Sequence, residues 1–224
     1  MRNQPGGWIA SIASVQERES YRWEVRFFTV LLAIDVVESL ARCLHDGHAN
    51  PPVELGGILF GNILDDNRVE ITHFELLTSS HRRGIPYDLS PTERNRIERY
   101  VRGFGRRSGV RPLGYFRTHL RPGLFLDQSD LALMAATFPA PTGIALAIRA
   151  GRRNGAEAGI FFWKDGEMDR RKPERMFPFD AEALRVQGPL EKGARTAFHR
   201  GTNWANRDRA CRAADSRPPF SSGP

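Results

Sequence analysis

The stretch LGYFRTHLRPGLFLDQSDLALM (113–134) decides the fold of this chain, because it contains the end of a strand, a short loop and the start of a helix. Side chains alternate between the two faces of a strand, so Tyr115, Arg117 and His119 share one face while Phe116 points to the other. The pattern therefore predicts that Arg117 and His119 stand together at the strand end.

A helix is predicted directly after the loop LRPGLFL (120–126). Asp127 lies at the N-cap position, a place that Asp and Ser fill about equally well. Asp130 lies at the third helical position, where the helix dipole favours an acidic side chain. Leu131 and Met134 follow at the spacing of one buried helical face. The start of this helix is therefore expected to bring Asp130 to the basic side chains at the strand end.

Further strands and helices are predicted on both sides of this stretch, from β-branched and aromatic runs and from helical spacing of apolar residues. The predicted strands are one or two within 21–35, then 53–63, 68–77, 111–119, 143–149 and 158–163, and the predicted helices are 35–47, 89–106 and 127–138. This order predicts an α/β or α+β fold, a single domain with a mixed sheet flanked by helices.

The helix at 89–106 has the clearest start signal. Ser90 is a candidate N-cap, Pro91 sits at the first helical position, and Glu93 completes a capping box.

Composition divides the chain into three parts. Residues 1–20 form a polar lead-in, and residues 21–180 carry the predicted domain. From residue 181 to 224 aliphatic residues are few and arginines many, so too little apolar surface is available to offset the ordering entropy. We expect this segment to be a disordered basic tail.

The chain carries a net charge of +7 and has a sequence pI near 10.1. The basic residues are almost all arginines, and they form no stripe interleaved with aromatic residues, so we expect no nucleic-acid partner. No apolar run is long enough to cross a bilayer, which argues against a membrane partner. Cys43 and Cys211 lie far apart, without CxxC spacing, so we expect free thiols and a cytoplasmic protein.

Two stretches together carry a family resemblance. VELGGILFGN (53–62) followed by residues 113–134 resembles the JAB/MPN metallopeptidase family and its JAMM motif, over roughly residues 29–170. The resemblance implies a mixed sheet with helices on its faces, in cytidine-deaminase-like layering. It also implies a zinc-dependent peptidase activity, either cleavage of the isopeptide bonds of ubiquitin-like modifiers or processing of small ubiquitin-like proteins.

The motif transfers only in part. Glu54 stands at the general-base position. His119 stands at the second histidine and Asp130 at the aspartate, and residues at these two positions ligate zinc in the family. Arg117 replaces the first histidine, and Asp127 replaces the serine that helps to stabilise the oxyanion. The zinc site implied by the resemblance is therefore degenerate.

Arginine cannot ligate a metal, because its guanidinium has only donors and stays protonated. With His119 and Asp130 alone, the ligand shell falls short of the three protein ligands of a catalytic zinc. We expect Arg117 to fill the place of the metal by pairing with Glu54 and Asp130, and we expect no cofactor.

An alternative is an active metallopeptidase with an altered ligand set. His119, Asp127 and Asp130 would hold zinc or, better suited to oxygen ligands, Mn or Fe, with Glu54 near the bound water. A distant histidine, His73 or His81, would supply a further nitrogen.

These readings predict three classes of function. The first is a non-catalytic module that binds or scaffolds a protein partner, such as a ubiquitin-like protein or a peptide tail, with the basic tail and HRRGIPYDL (81–89) as contact surfaces. The second is the altered peptidase or isopeptidase. The third is a basic binder of nucleic acid or of an acidic partner, because fold does not fix function. We favour the first.

Overall fold

The computed structural model describes residues 17–25, 28–47, 54–65, 68–77, 89–104, 110–149, 155–187 and 190–194. These residues form nine strands and four helices. In chain order they are β1 (Glu17–Val25), β2 (Phe28–Ala33), α1 (Ile34–Gly47), β3 (Gly56–Asp65), β4 (Arg68–Leu76), α2 (Pro91–Gly103), β5 (Arg111–His119), α3 (Gln128–Thr137), β6 (Ile144–Arg149), β7 (Glu157–Phe162), β8 (Arg175–Pro178), α4 (Ala181–Gln187) and β9 (Leu190–Ala194).

All nine strands belong to one sheet, in the order β8-β7-β6-β5-β3-β4-β2-β1-β9. The pairs β2–β4 and β5–β6 are parallel, and the other neighbours are antiparallel. The predicted mixed sheet in a single α+β domain is therefore confirmed. None of the described helices is long and apolar enough to cross a membrane.

The sheet buries apolar side chains on both faces. On one face a cluster that includes Val30, Leu59 and Phe116 packs with residues of α1 and with Leu184 of α4. On the other face a second cluster includes Ile58, Tyr115 and Phe161 together with residues of α2 and α3. Tyr115 and Phe116 thus point to opposite faces of β5, as the alternation predicts.

The central strands β5 and β6 approach closely because Gly114 has no side chain. Gly114 pairs with Ile144 in the parallel ladder. A Cβ atom built on Gly114 would lie 1.8 Å from the carbonyl oxygen of Ile144. The carboxyl end of β5, an interior strand of the sheet, carries the candidate site.

The helix α2 begins as predicted. Ser90 is its N-cap, the Ser90 hydroxyl accepts a hydrogen bond from the Glu93 amide, and the Glu93 carboxylate accepts one from the Ser90 amide at 2.9 Å. The predicted capping box is confirmed.

Described elements lie beyond the predicted boundaries of the domain at both ends. Strand β1 begins at Glu17, inside the expected lead-in, and α4 and β9 lie inside the segment expected to be a disordered tail. The reason is pairing across the sheet: β9 joins β1 by an antiparallel ladder, and Leu184 is fully buried in the core. Residues 1–16 and 195–224 lie outside the described residues.

The expectation of free thiols is wrong for Cys43, which is disulfide-bonded in the structure. Cys211 lies outside the described residues. Cys43 therefore does not support the cytoplasmic expectation, which stays a prediction.

Candidate functional site

The candidate site lies where the end of β5, the start of α3 and the residues before β3 meet. In the β3–β5 ladder Gly56 pairs with Arg117, which places Glu54 beside the end of β5. Two hydrogen bonds between Leu55 and Thr118 fix this approach, at 2.7 Å from the Leu55 amide to the Thr118 hydroxyl and at 2.8 Å from the Thr118 amide to the Leu55 carbonyl. Hydrogen bonds between the segment before β3 and the end of β5 thus hold the site in place.

Arg117 occupies the centre of the site and contacts three carboxylates. One terminal nitrogen of its guanidinium donates to Asp130 and Asp127, at 2.6 Å each, and the other donates to Glu54 at 3.3 Å. The expected pairs with Glu54 and Asp130 are therefore present, and the contact with Asp127 is additional. The Arg117 side chain has no solvent exposure, and those of Glu54 and Asp130 are 3% and 1% exposed.

Burial and the neighbouring charges shift the pKa values of the buried pair. Burial alone would lower the pKa of Arg117, but the charges of Asp130 and Asp127 outweigh burial, and the pKa rises above its ordinary value. Burial raises the pKa of Asp130, and the nearby charge of Arg117 offsets this only in part. Arg117 therefore stays charged, and Asp130 releases its proton less readily than an exposed aspartate.

Glu54, which stands at the general-base position, has both carboxylate oxygens in use. Oε2 accepts the hydrogen bond from Arg117, and Oε1 accepts one from the backbone amide of Leu120 at 3.1 Å. A base that is to take a proton from water needs a free acceptor within hydrogen-bond reach of that water. In this arrangement each oxygen of Glu54 already accepts one hydrogen bond from within the site.

Asp127 combines two tasks at the start of α3. It is the N-cap residue, as predicted, and its backbone amide donates to the Asp130 carboxylate at 2.6 Å. Its own carboxylate contacts Arg117 at 2.6 Å and Arg121 at 3.8 Å. The Asp127 side chain is 33% exposed, which makes it the most accessible carboxylate of the site.

His119 forms its hydrogen bond with the loop that follows β5. Its Nε2 lies 2.6 Å from the carbonyl oxygen of Phe125, and its ring stacks on the Phe125 ring with centroids 4.3 Å apart. A carbonyl oxygen can only accept, so Nε2 carries a proton and Nδ1 holds the lone pair. Burial, followed by the charge of Arg117, lowers the pKa of His119, so the ring is held neutral.

The loop between β5 and α3 adds residues that the sequence did not single out. Arg121 lies over the Phe125 ring at 5.3 Å from its centroid, and Phe125 in turn stacks on His119. Gly123 has a positive φ of 96°, a conformation that suits glycine and reverses the chain here. No local pattern in the sequence predicts these contacts, because they depend on the path of the loop.

The donor set in the site does not fit a zinc ion. The Arg117 guanidinium fills the space between the carboxylates, and it carries only hydrogen-bond donors, so it cannot serve as a ligand. Among the described residues no group of three or more His, Cys, Asp or Glu side chains is placed to hold a metal ion. His73 lies on β4 with its Nδ1 2.8 Å from the Thr72 hydroxyl, and His81 lies outside the described residues.

Comparison with known proteins leaves the family open. No protein-family model matches the chain, and no characterised protein sequence matches it. Among solved structures, a protein from Salinibacter ruber with a known solution structure is 19% identical, over 74% of this chain and 99% of its own, with a TM-score of 0.38. A likeness at this level carries no argument about fold or function.

Proposed function

We propose that this chain is a JAB/MPN-like domain in which Arg117 takes the place of the catalytic metal ion, and that it acts as a non-catalytic module that binds or scaffolds a protein partner. The observation that carries the proposal is the contact of one buried guanidinium with Glu54, Asp127 and Asp130. Three of the five positions that the resemblance singles out thus converge on the residue that replaced the first histidine.

Electrostatics argues against a metal ion beside Arg117. A divalent cation placed among the same carboxylates would be repelled by a guanidinium that cannot lose its proton. Expelling the Arg117 side chain to admit the ion would break two contacts of 2.6 Å and one of 3.3 Å. The side chain is also covalently attached, so its effective concentration at the site is far higher than that of a free ion.

The same contacts argue against water activation. Family catalysis uses a zinc-bound water and a glutamate that accepts its proton. Here the Glu54 side chain is almost fully buried, and its two oxygens accept hydrogen bonds from Arg117 and Leu120. A domain with this site would still present a rigid surface to a ubiquitin-like protein or a peptide tail, the partner classes that the resemblance suggests.

The proposal is tested by the metal content of four purified proteins. We expect the unaltered chain to contain far less than one Zn, Mn, Fe or Ni per molecule by elemental analysis. The variant with Arg117→His and Asp127→Ser restores the family pattern and should acquire zinc. Adding His119→Ala to that variant should remove the zinc again, and Arg121→Ala in the unaltered chain should change nothing.

Two results would overturn the proposal. Stoichiometric metal in the unaltered chain, lost on His119→Ala, would support the peptidase with the ligand set His119, Asp127 and Asp130. Metal-dependent cleavage of a ubiquitin-like isopeptide conjugate, lost on Glu54→Gln, would show a retained enzyme. Circular dichroism of every variant controls for loss of the fold.

A further inference from the structure

The positive charge of the chain is concentrated in and around α2. Residues 81–111 contain nine arginines and three acidic residues, which gives this segment a net charge of +6, against +7 for the whole chain. The described part of the segment is 89–104 together with 110 and 111. A helix that carries such a density of arginine on its solvent face is a candidate interaction surface.

The geometry of α2 places three arginines on its exposed side. Arg96, Arg99 and Arg102 are all exposed, and Ile97 is the buried residue of the helix. At spacings of three residues their side chains form a ridge that extends about 9 Å along the helix axis. We call these three residues the arginine ridge.

Two residues of the arginine ridge make no ion pair with any other described residue. Arg96 and Arg99 contact no carboxylate in the described part of the chain; Arg99 donates only to the Asn95 carbonyl of its own helix, at 3.3 Å. Arg102 lies 3.9 Å from Glu98 and is 76% exposed. The ridge therefore presents two exposed arginines without an ion pair to a described residue, and a third in a loose, exposed pair, to the carboxylates of another molecule.

The surroundings favour an acidic protein segment over a nucleic acid. Binding to single-stranded nucleic acid uses aromatic rings on which bases stack, and a basic groove that follows the backbone. Tyr100, an aromatic residue beside the ridge, already has partners: its hydroxyl donates to Glu75 at 2.5 Å and its ring packs edge-on against Phe104. Glu98 lies within the ridge and would repel a continuous phosphate backbone, while separate carboxylates can avoid it.

We propose that the arginine ridge of α2 is a docking surface for an acidic segment of the protein partner. This inference rests on the proposed function, because it names the chemistry of the partner that a non-catalytic module would bind. Arginine is enriched at the energetic centres of protein interfaces, and its fork can pair with a carboxylate through two parallel hydrogen bonds.

The test measures binding of the full chain to a fluorescein-labelled deca-glutamate peptide by fluorescence anisotropy at low salt. Replacing Arg96 and Arg99 together by alanine should weaken binding about tenfold, since each exposed ion pair contributes modestly. The matched control replaces Arg171 and Arg175, which are exposed elsewhere, and removes the same charge. The control variant should bind within about twofold of the unaltered chain if position rather than net charge decides.

Three outcomes would overturn the inference. The first is absence of peptide binding by the unaltered chain, and the second is equal weakening in both double variants, which would show a general effect of charge. The third is tighter binding of a thymidine decanucleotide than of the peptide, lost in the variant of Arg96 and Arg99, which would assign the ridge to nucleic acid. None of these variants touches Arg117, so the metal analysis still tests the proposed function independently.

Discussion

Replacing Arg117 by alanine removes the guanidinium that contacts Glu54, Asp127 and Asp130. Glu54 and Asp130 would then be left buried without their cation, and breaking a buried pair by removal of one partner costs about 3–5 kcal/mol. In a domain of this size each kcal/mol lowers the melting temperature by about 2–4 °C, so we expect a decrease of about 6–20 °C.

The loss should depend on pH with a defined sign. Removing Arg117 takes away the charge that lowers the pKa of Asp130, so burial raises that pKa further above the unfolded value of 3.8. A carboxylate with a raised folded pKa favours the folded state below its unfolded pKa, and this contribution is lost as pH rises through the folded pKa. The stability difference between the unaltered chain and Arg117→Ala should therefore be largest at neutral pH and smaller near pH 4.

Urea denaturation followed by circular dichroism at both pH values measures this difference. Arg121→Ala is the control, because it removes a half-exposed cation that lies 3.8 Å from Asp127, and it should cost less than about 1 kcal/mol. A second variant, Glu54→Gln with Arg117→Met and Asp130→Asn, removes the charges together and should recover much of the loss. A melting temperature unchanged by Arg117→Ala would refute the structural role of the ion cluster.

Three further predictions concern single residues. Because the pKa of His119 is lowered in the folded state, the free energy of unfolding should fall as pH drops from 6.5 through the folded pKa, by at most about 1.4 kcal/mol per pH unit. His119→Gln should flatten this slope, measured by urea denaturation at several pH values. Ser90→Ala removes the N-cap of α2 and should cost about 1 kcal/mol, measured by thermal melting. Gly114→Ala places a Cβ against the Ile144 carbonyl and should destabilise the domain by about 1–3 kcal/mol or more. Gly103→Ala is the control, because Gly103 has open space around it and the change should not destabilise the domain. Equal melting temperatures of the two variants would contradict the close approach.

Much of the fold could be predicted because its central elements carry local signals. The hairpin of β3 and β4, the capped helix α2 and the unit from β5 to α3 all show alternation, helical spacing or a capping box in the sequence. The strands β8 and β9 carry no such pattern, since RMFP and LEKGA are short and not regularly apolar. They form by pairing with β7 and β1, and this non-local contribution is invisible in a local window.

The site was predictable in its location and less so in its contacts. The alternation along β5 and the spacing to α3 predicted that Arg117 and Asp130 lie in one region, and the pairing between them was expected from the family resemblance. The orientation of His119 was not predictable, because it depends on how the loop brings the Phe125 carbonyl to the imidazole. Sequence spacing determines the backbone position of a residue, whereas the path of the seven-residue loop determines which groups its side chain contacts.

A guanidinium at the centre of such a site offers a different chemistry from a metal ion. A bound ion can exchange, can accept a water molecule and can lower the pKa of that water, whereas an arginine offers only donors at fixed positions. Arg117 supplies one positive charge to three carboxylates, so the remaining negative charge must be reduced in other ways. Arg121 lies near Asp127, and burial raises the pKa of Asp130 toward its neutral form. The cluster is a closed set of paired charges rather than an open coordination site, which is why we expect the site to hold the domain together and the exposed arginine ridge to contact the proposed partner.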